Sequence, residues 1–400
     1  MSAATESAPT SETRNEERRV MGVACGAHAL HDGYTDLVIV MLPIWQAEFG
    51  LSYAAVGALR GVLAGTMASF QIPSGFLSER LGTPVVLAGG TALAGLAYCL
   101  ALFAGSFPAL IAVLFLVGLG ASTQHPLGSS LVSHAFSGAR SLKALGTYNF
   151  AGDLGKMAIP AIGALLVTML PWRVTLALIG AVGLVVAVAV LMFTPRHRAD
   201  APKTDSDESN RPAVSGQGGF YALLSVGVID SATRMGLLTF LPFLLTAKGA
   251  SLPTIGLALT LVFVGGAVGK LVCAWIGARI GVVATVWLTE GLTALGILAL
   301  VISPLEFAML LLPAIGVALN GTSSVLYGSV PLLVSPEART RAFSIFYTGA
   351  IGSGAVAPIF YGLIGDAIGV PQALMVIAAI VLVTLPLVLI IRARLAAASA

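Results

Sequence analysis

The sequence predicts an all-α membrane protein: twelve transmembrane helices arranged as two pseudo-symmetric six-helix bundles. Three observations carry that reading. The first is composition, since 57% of the 400 residues are hydrophobic, only 10% are charged and mean hydropathy is +0.95. Soluble domains carry about a quarter charged residues. The apolar residues arrive in long unalternating blocks, and a helix needs about 20 residues to cross a bilayer core. Backbone groups in lipid must pair within their own segment, and the period-two alternation of a barrel is absent. The second observation is an internal repeat. Asp32, Leu42-Pro43, Gly57, Arg80 and Gly82 recur as Asp230, Leu241-Pro242, Gly256, Arg279 and Gly281, an offset of 198 or 199 residues. Tandem repeats of membrane-length segments imply two related bundles that move against each other around a central site. The third is a single long polar interruption, residues 195–218, which contains RHRADAPKTDSDESNRP.

The elements follow in order. Residues 1–19 are rich in Ser, Thr, Glu and Arg and read as a disordered cytoplasmic tail. The apolar run behind them is too long for a signal-peptide core. Gly, Pro and charge punctuation then marks spans near 20–48, 53–77, 84–104, 108–135, 143–170 and 173–194, the N-terminal bundle of residues 20–194. The polar stretch 195–218 is a solvated cytoplasmic linker. Spans near 219–247, 253–277, 282–303, 306–335, 341–366 and 370–391 form the C-terminal bundle, residues 219–394. Lys and Arg set the orientation. With the N-terminus inside, fifteen basic residues fall in cytoplasmic segments and only Arg173 and Lys248 outside, so both termini are expected in the cytoplasm of a bacterial inner membrane. Cys25, Cys99 and Cys273 lie in separate apolar segments without CxxC spacing and read as packing residues.

Between spans 2 and 3 lies Gly75-Phe76-Leu77-Ser78-Glu79-Arg80-Leu81-Gly82, with a degenerate copy, Trp275-Ile276-Gly277-Ala278-Arg279-Ile280-Gly281, in the second half. Glycines allow a tight turn there, and an acid-base pair can lock one arrangement of neighbouring helices. This loop resembles motif A of the major facilitator superfamily, and twelve spans in two repeats resemble that superfamily along the whole chain. The resemblance implies a gating role for Gly75, Glu79, Arg80, Gly82 and Arg279. Thr83-Pro84 stands where the family usually has a basic pair. Two further stretches, His28-Ala29-Leu30-His31-Asp32-Gly33 leading to Pro43, and His125-Pro126 in span 4, resemble the fosmidomycin-resistance group of exporters. Leu127 and Asp153 stand where that group usually has Glu and Asn.

Nine ionisable residues fall within spans: Asp32, Asp36, Arg60, Asp153, Lys156, Asp230, Arg234, Lys270 and Glu290. Each costs about 2.5–3.5 kcal/mol at mid-bilayer, so none can face lipid unpaired. Five acids against four bases suggests ion pairs around a wet cavity. His28, Asp32 and Asp36 fall at i, i+4 and i+8 on span 1. Asn149, Asp153, Lys156 and Pro160 stack on span 5, and Asp230 and Arg234 on span 7. The family resemblance implies that spans 1, 4, 7 and 10 line the central cavity with 2, 5, 8 and 11 beside it, which points these stripes inward. Asp32 is the first expected proton carrier, and Asp153 the second because Lys156 one turn away keeps it ionised. Asp230 is the repeat partner of Asp32. These residues could instead be clamps between helices. Arg60 and Lys270 have no acid on their own helices and offer an anion site, unless they pair across helices, for instance Lys270 with Glu290. Asp36, His125, Tyr148, Asn149, Lys156, Arg234, Asn320 and Tyr327 complete the expected substrate-binding set.

The expected function is proton-coupled transport of a small organic solute by alternating access, with the resemblance pointing to export by antiport. Proton-symport uptake of a small organic anion would use the same parts. A divalent-metal exporter is a further alternative, with His28, His31, Asp32, Asp36 and His125 as ligands. No GxSxG, HExxH or P-loop is present, so the chain is not expected to be an enzyme, and no cofactor is implied. A net charge of +3 gives no pull toward nucleic acid. The expected partners are substrate, protons and the bilayer, with a monomer as the working unit.

Overall fold

Backbone amides in lipid have no solvent to pair with, so each crossing must be a helix. The structure, a computed structural model, describes residues 11–136, 138–194, 217–334 and 339–399. Most of the expected linker and the first ten residues of the expected tail lie outside the described residues. The helices are α1 (Ser11–Phe49), α2 (Tyr53–Leu81), α3 (Thr83–Leu100), α4 (Phe107–Ala121), α5 (Gln124–Ala135), α6 (Gly138–Leu166) and α7 (Trp172–Phe193) in the first half. The second half holds α8 (Gln217–Ala247), α9 (Leu252–Ile280), α10 (Val282–Ile302), α11 (Leu305–Ser329), α12 (Arg339–Ile368), α13 (Val370–Val381) and α14 (Thr384–Ser399). Helix α1 already starts at Ser11, inside the stretch expected to be tail.

Helices α4 and α5 run on as one rod, and so do α13 and α14, which leaves twelve membrane-length rods among the described residues. Ten are long and apolar enough to cross a membrane by length and composition. The two that fall short are α1 and α6, two of the three helices that carry charged stripes. Their charged residues lower their hydropathy, and Asp32 and Asp36 of α1 are buried in the protein.

The repeat reappears as geometry. Ser52 and Ser251 cap α2 and α9, each accepting from the backbone N–H three residues on. Gly50 and Gly249 turn the chain at φ 62° and 86°, and Gly82 and Gly281 at φ 88° and 84°, conformations that a side chain strains. These four glycines mark the two faces of the molecule. On the Gly50/Gly249 face the two exceptional basic residues have work to do. Arg173 donates to the Ala104 carbonyl at 2.7 Å through Nη2, and Lys248 to the Val301 carbonyl at 2.9 Å. Each donates to orphan carbonyls at a helix C-terminal end.

Packing differs between the faces. On the Gly50/Gly249 side one hydrophobic core joins both halves, with Trp45, Leu59 and Leu63 of the first and Leu241, Phe243 and Leu259 of the second. Toward the Gly82/Gly281 side there are two separate cores, one around Leu87, Leu131 and Tyr148 and another around Phe220, Leu326 and Phe346. Glycines bring the halves together on the closed side. Gly57 lies against the Pro358 backbone of α12, and Gly256 lies against Ala161 and Ala164 of α6, the same crossing repeated by the pseudo-symmetry. Thr260 Oγ1 donates to the Met157 carbonyl at 3.0 Å across the second crossing. At the first, the Asp366 carboxylate of α12 accepts from the Tyr53 and Ala54 amides at 2.6 and 3.0 Å, capping α2 from the other half.

Asp366→Ala should therefore loosen this face alone. Losing a helix N-cap costs about 1 kcal/mol, about fivefold in the balance between closed and open arrangements. Distances between spin labels placed on the two halves at this face should lengthen in the variant. Unchanged distance distributions would show that the shared core alone closes it.

Candidate functional site

The charged stripes expected on α1, α6 and α8 meet at mid-depth, below the shared core. The lysine and arginine pairs depart from the expectation in one consistent way: each basic partner comes from another helix. Asp32 is 5% exposed, and Lys156 Nζ of α6 lies 3.1 Å from its Oδ2. His28 Nε2 is 3.4 Å from the same oxygen, and His125 Nε2 of α5 is 3.7 Å from Oδ1. His28 Nδ1 donates to the Tyr148 carbonyl at 2.8 Å, because a carbonyl only accepts, and its ring stacks on Tyr148 at 4.0 Å. Tyr148 is itself buried, with its hydroxyl 3.1 Å from Gln124 Nε2. It orients His28 from outside the cavity.

Lys156 therefore serves Asp32, not Asp153 one turn away. Asp153 is held by Lys270 Nζ of α9, with its two oxygens at 2.7 and 2.9 Å. This ion pair joins the two halves, and Lys270 does not pair with Glu290. Arg60 is likewise committed. Its Nη2 donates to Asp36 Oδ1 at 2.9 Å, and its Nη1 donates to the Thr35 carbonyl. At 5% exposure, Arg60 and Asp36 form a buried clamp between α2 and α1 rather than an open anion site. The physical reason is reach. Residues i and i+3 on one helix are neighbours only along its surface, whereas a facing helix can present its charge head-on.

A cavity of about 180 Å³ lies between the halves. Asp36, Asp153, Lys156, Arg234, Lys270 and Asn320 give it its polar lining, and Met235, Leu238 and Phe263 its apolar lining. Arg234 Nε is buried with no partner. Asn320 donates to the Gly316 carbonyl at 3.2 Å and keeps its amide oxygen for the cavity. Gly266 touches Asn320 so closely that any side chain there would displace it. Asp230, one turn from Arg234 on α8, is 4% exposed, and Glu290 of α10 is 1% exposed. Glu290 is in the intramembrane set but not among the expected site residues, because no neighbour on its own helix marked it.

Other expected residues lie elsewhere. Tyr327 stacks on Tyr347 at 4.6 Å, away from the cavity lining, and Asn149 is on an exposed side of α6. In the loop motif, Gly82 makes the tight turn and its N–H bonds the Ser78 carbonyl. Gly75 has open space around it, Glu79 is half-buried and Arg80 exposed, and Arg279 sits 3.7 Å over the Trp275 ring. His31 joins α1 to α3 through Thr91 at 2.9 Å. Ligand atoms of His28, Asp32 and His125 lie within 4.8 Å of one another, close enough to share a cation. The Lys156 ammonium already sits on the Asp32 carboxylate such an ion would need, which disfavours metal cargo there.

Replacing Lys270 by Met should leave Asp153 unpaired at the interface. Lys270 is 42% exposed, so the expected loss of thermal stability is about 1–2 kcal/mol, below that of a fully buried pair. The double variant Asp153→Asn, Lys270→Met should recover most of it. Equal melting temperatures for the single and double variants would show that the pair does not hold the halves together.

The chain was compared with known proteins. The profile of the Major Facilitator Superfamily matches residues 24–232 and 223–399. The chain is 25% identical to the fosmidomycin resistance protein of Escherichia coli K12 over 357 residues, covering 87% of this chain and 86% of that protein. It is 26% identical over 387 residues to a probable sulfoacetate transporter of Cupriavidus necator, covering 88% and 87%. Among solved structures, the inward-facing, unoccupied form of a bacterial homologue of the human lysosomal transporter Spinster superposes with a TM-score of 0.72 at 18% identity, covering 96% and 97% of the two chains.

Proposed function

Because the chain belongs to the Major Facilitator Superfamily, we propose that this transporter carries a small organic anion by alternating access, coupled to protons, across a bacterial inner membrane. The observation that carries the substrate class is the mid-depth cavity where Lys156, Arg234 and Lys270 converge. Two of these cations sit on carboxylates that a negatively charged solute could replace. The volume of about 180 Å³ supports a compact acid, since drug-sized ligands occupy about 300 Å³ or more. Sulfoacetate, the substrate in the name of one relative, is such an acid.

The reading extends to the cycle. With basic residues inside, the Gly82/Gly281 face is cytoplasmic, and the split cores correspond to an inward-open state. An anion that takes Lys270 leaves Asp153 without its counter-ion at the interface. In this reading a proton takes the place of Lys270 on Asp153, which keeps the enclosed charge balanced. Proton and anion thus bind together, which favours symport over the antiport expected from the sequence. Asp32, ringed by Lys156, His28 and His125, anchors that cluster.

In proteoliposomes, an inward proton gradient should drive sulfoacetate accumulation. Asp153→Asn should abolish that drive while retaining sulfoacetate exchange, and Arg234→Gln should weaken sulfoacetate binding about tenfold or more, the scale of one charge-assisted hydrogen bond pair. Equal weakening for neutral solutes, or sulfoacetate entry that leaves internal pH untouched, would sink the proposal.

A further inference from the structure

We propose that the protein carries a docking site for an anionic phospholipid of the leaflet on the Gly82/Gly281 side. The headgroup phosphate sits in a pocket of Arg14, Arg18 and Arg140, and an acyl chain lies along α6. No residue of the central cavity takes part, so this site stands or falls apart from the anion reading above.

The pocket lies where the start of α1 meets the junction of α5 and α6, and its volume is about 450 Å³. Arg14, Glu17, Arg18 and Met21 line it at i, i+3, i+4 and i+7, one stripe of α1, and Phe136 and Arg140 supply the other wall. Three arginines against one glutamate leave an excess of positive charge. Glu17, 7% exposed, accepts from Arg140 Nη2 at 2.5 Å, and the same guanidinium stands 5.6 Å over the Phe136 ring. The acid thus fixes one cation in place while using a single bond of a group with five N–H donors. An arginine fork matches the paired oxygens of a phosphate. Phe136 and Met21 beside it suit the glycerol and first methylenes of a lipid better than a hydrated ion.

Depth selects the occupant. Helix α1 ends at the Gly50 turn, so its start lies on the Gly82/Gly281 face. Asp32 is at mid-depth, and at about 1.5 Å per residue Arg18 lies about 21 Å and Met21 about 17 Å from it along the helix. Half a bilayer is about 15 Å of hydrocarbon, or about 20–22 Å with its headgroups. Arg18 therefore reaches the phosphate layer, and Met21 the boundary below it. Basic pockets between helices at this level are sites for charged lipids. Helix α6 supplies the track for the tail. Arg140 and Lys143 begin an exposed stripe that continues through Phe150, Leu154, Ile162 and Leu165, basic beside the pocket and apolar beyond it. A soluble anion would meet the same arginines and have no use for the stripe. The polar first turns of α1 also gain a reason to be helical, since they carry Arg14 and Arg18 out to the headgroups in fixed register with Glu17.

The test uses the full-length protein. Native mass spectra of the detergent-solubilised chain should show phosphatidylglycerol retained in preference to phosphatidylcholine. The double variant Arg14→Gln, Arg18→Gln should weaken that retention about thirtyfold, the scale of two arginines at an anionic surface. It leaves the Glu17–Arg140 pair intact and should melt like the wild type in phosphatidylcholine nanodiscs. A second measurement needs no variant and decides the matter if the double variant fails to fold. Phosphatidylglycerol with a photoreactive group in its acyl chain should label α6 between Phe150 and Ile162 well above the other exposed helices, and a matching phosphatidylcholine probe should not. Equal retention of the two lipids, or the same labelling pattern from both probes, overturns the proposal. Unchanged retention in a folded double variant overturns the arginine pocket. Displacement of phosphatidylglycerol by an equimolar amount of inorganic phosphate makes this a site for soluble anions and overturns the lipid assignment.

Discussion

The rest of this structure depends on the rule that a charge inside a bilayer must find a partner inside the protein. Each of the intramembrane charges would cost about 2.5–3.5 kcal/mol alone, and the fold spends its interhelical contacts removing that cost. Arg60 binds α2 to α1 through Asp36, and Lys156 binds α6 to α1 through Asp32. Lys270 binds the two halves through Asp153. These links also give the cavity much of its polar lining, so the same pairs that assemble the molecule are the ones the proposed anion meets on entering.

Around that floor the packing is deliberately unequal. One apolar core and two glycine crossings close the Gly50/Gly249 face, and the Asp366 cap ties the first crossing. Below mid-depth each half keeps its own core. Close-packed interiors do not deform continuously, so two stiff bodies joined on one face rock rather than bend. The glycine crossings suit such a hinge-and-seal. Helix backbones meet there without side chains to disengage, so separation exposes little new apolar surface.

The repeat made the fold legible in the sequence. Pro43 and Pro242, Ser52 and Ser251, and Gly82 and Gly281 recur in the chain, and in the structure they occupy matching interior, cap and turn positions. The helical stripes on α1 and α8 also located the depth of the site. Pairing was not legible, because it is decided by helices far apart in the chain. Asp153 and Lys156 looked like partners at i and i+3, yet each is claimed by a facing helix that offers a shorter and better aligned contact. Glu290 was visible as an intramembrane acid, but no local pattern states how completely α10 buries it. Helix α1 was placed too late at its start because its first turns are polar, and polarity of that kind does not distinguish a solvated helix from a tail.

Charge neutrality also constrains how the molecule can move. In the empty cavity Arg60, Lys156 and Lys270 each sit on a carboxylate. An anion entering alone breaks a pair and adds a negative charge, so that state pays desolvation for a carboxylate without compensation. An anion entering with a proton restores neutrality. The halves can close over the second state at little electrostatic cost, and over the first only with a buried unpaired charge. The proposed coupling then needs no lever between distant sites. It follows from the requirement that whatever the two halves enclose must be neutral, and the ion pair between Asp153 and Lys270, which spans both halves, is where that requirement is felt first.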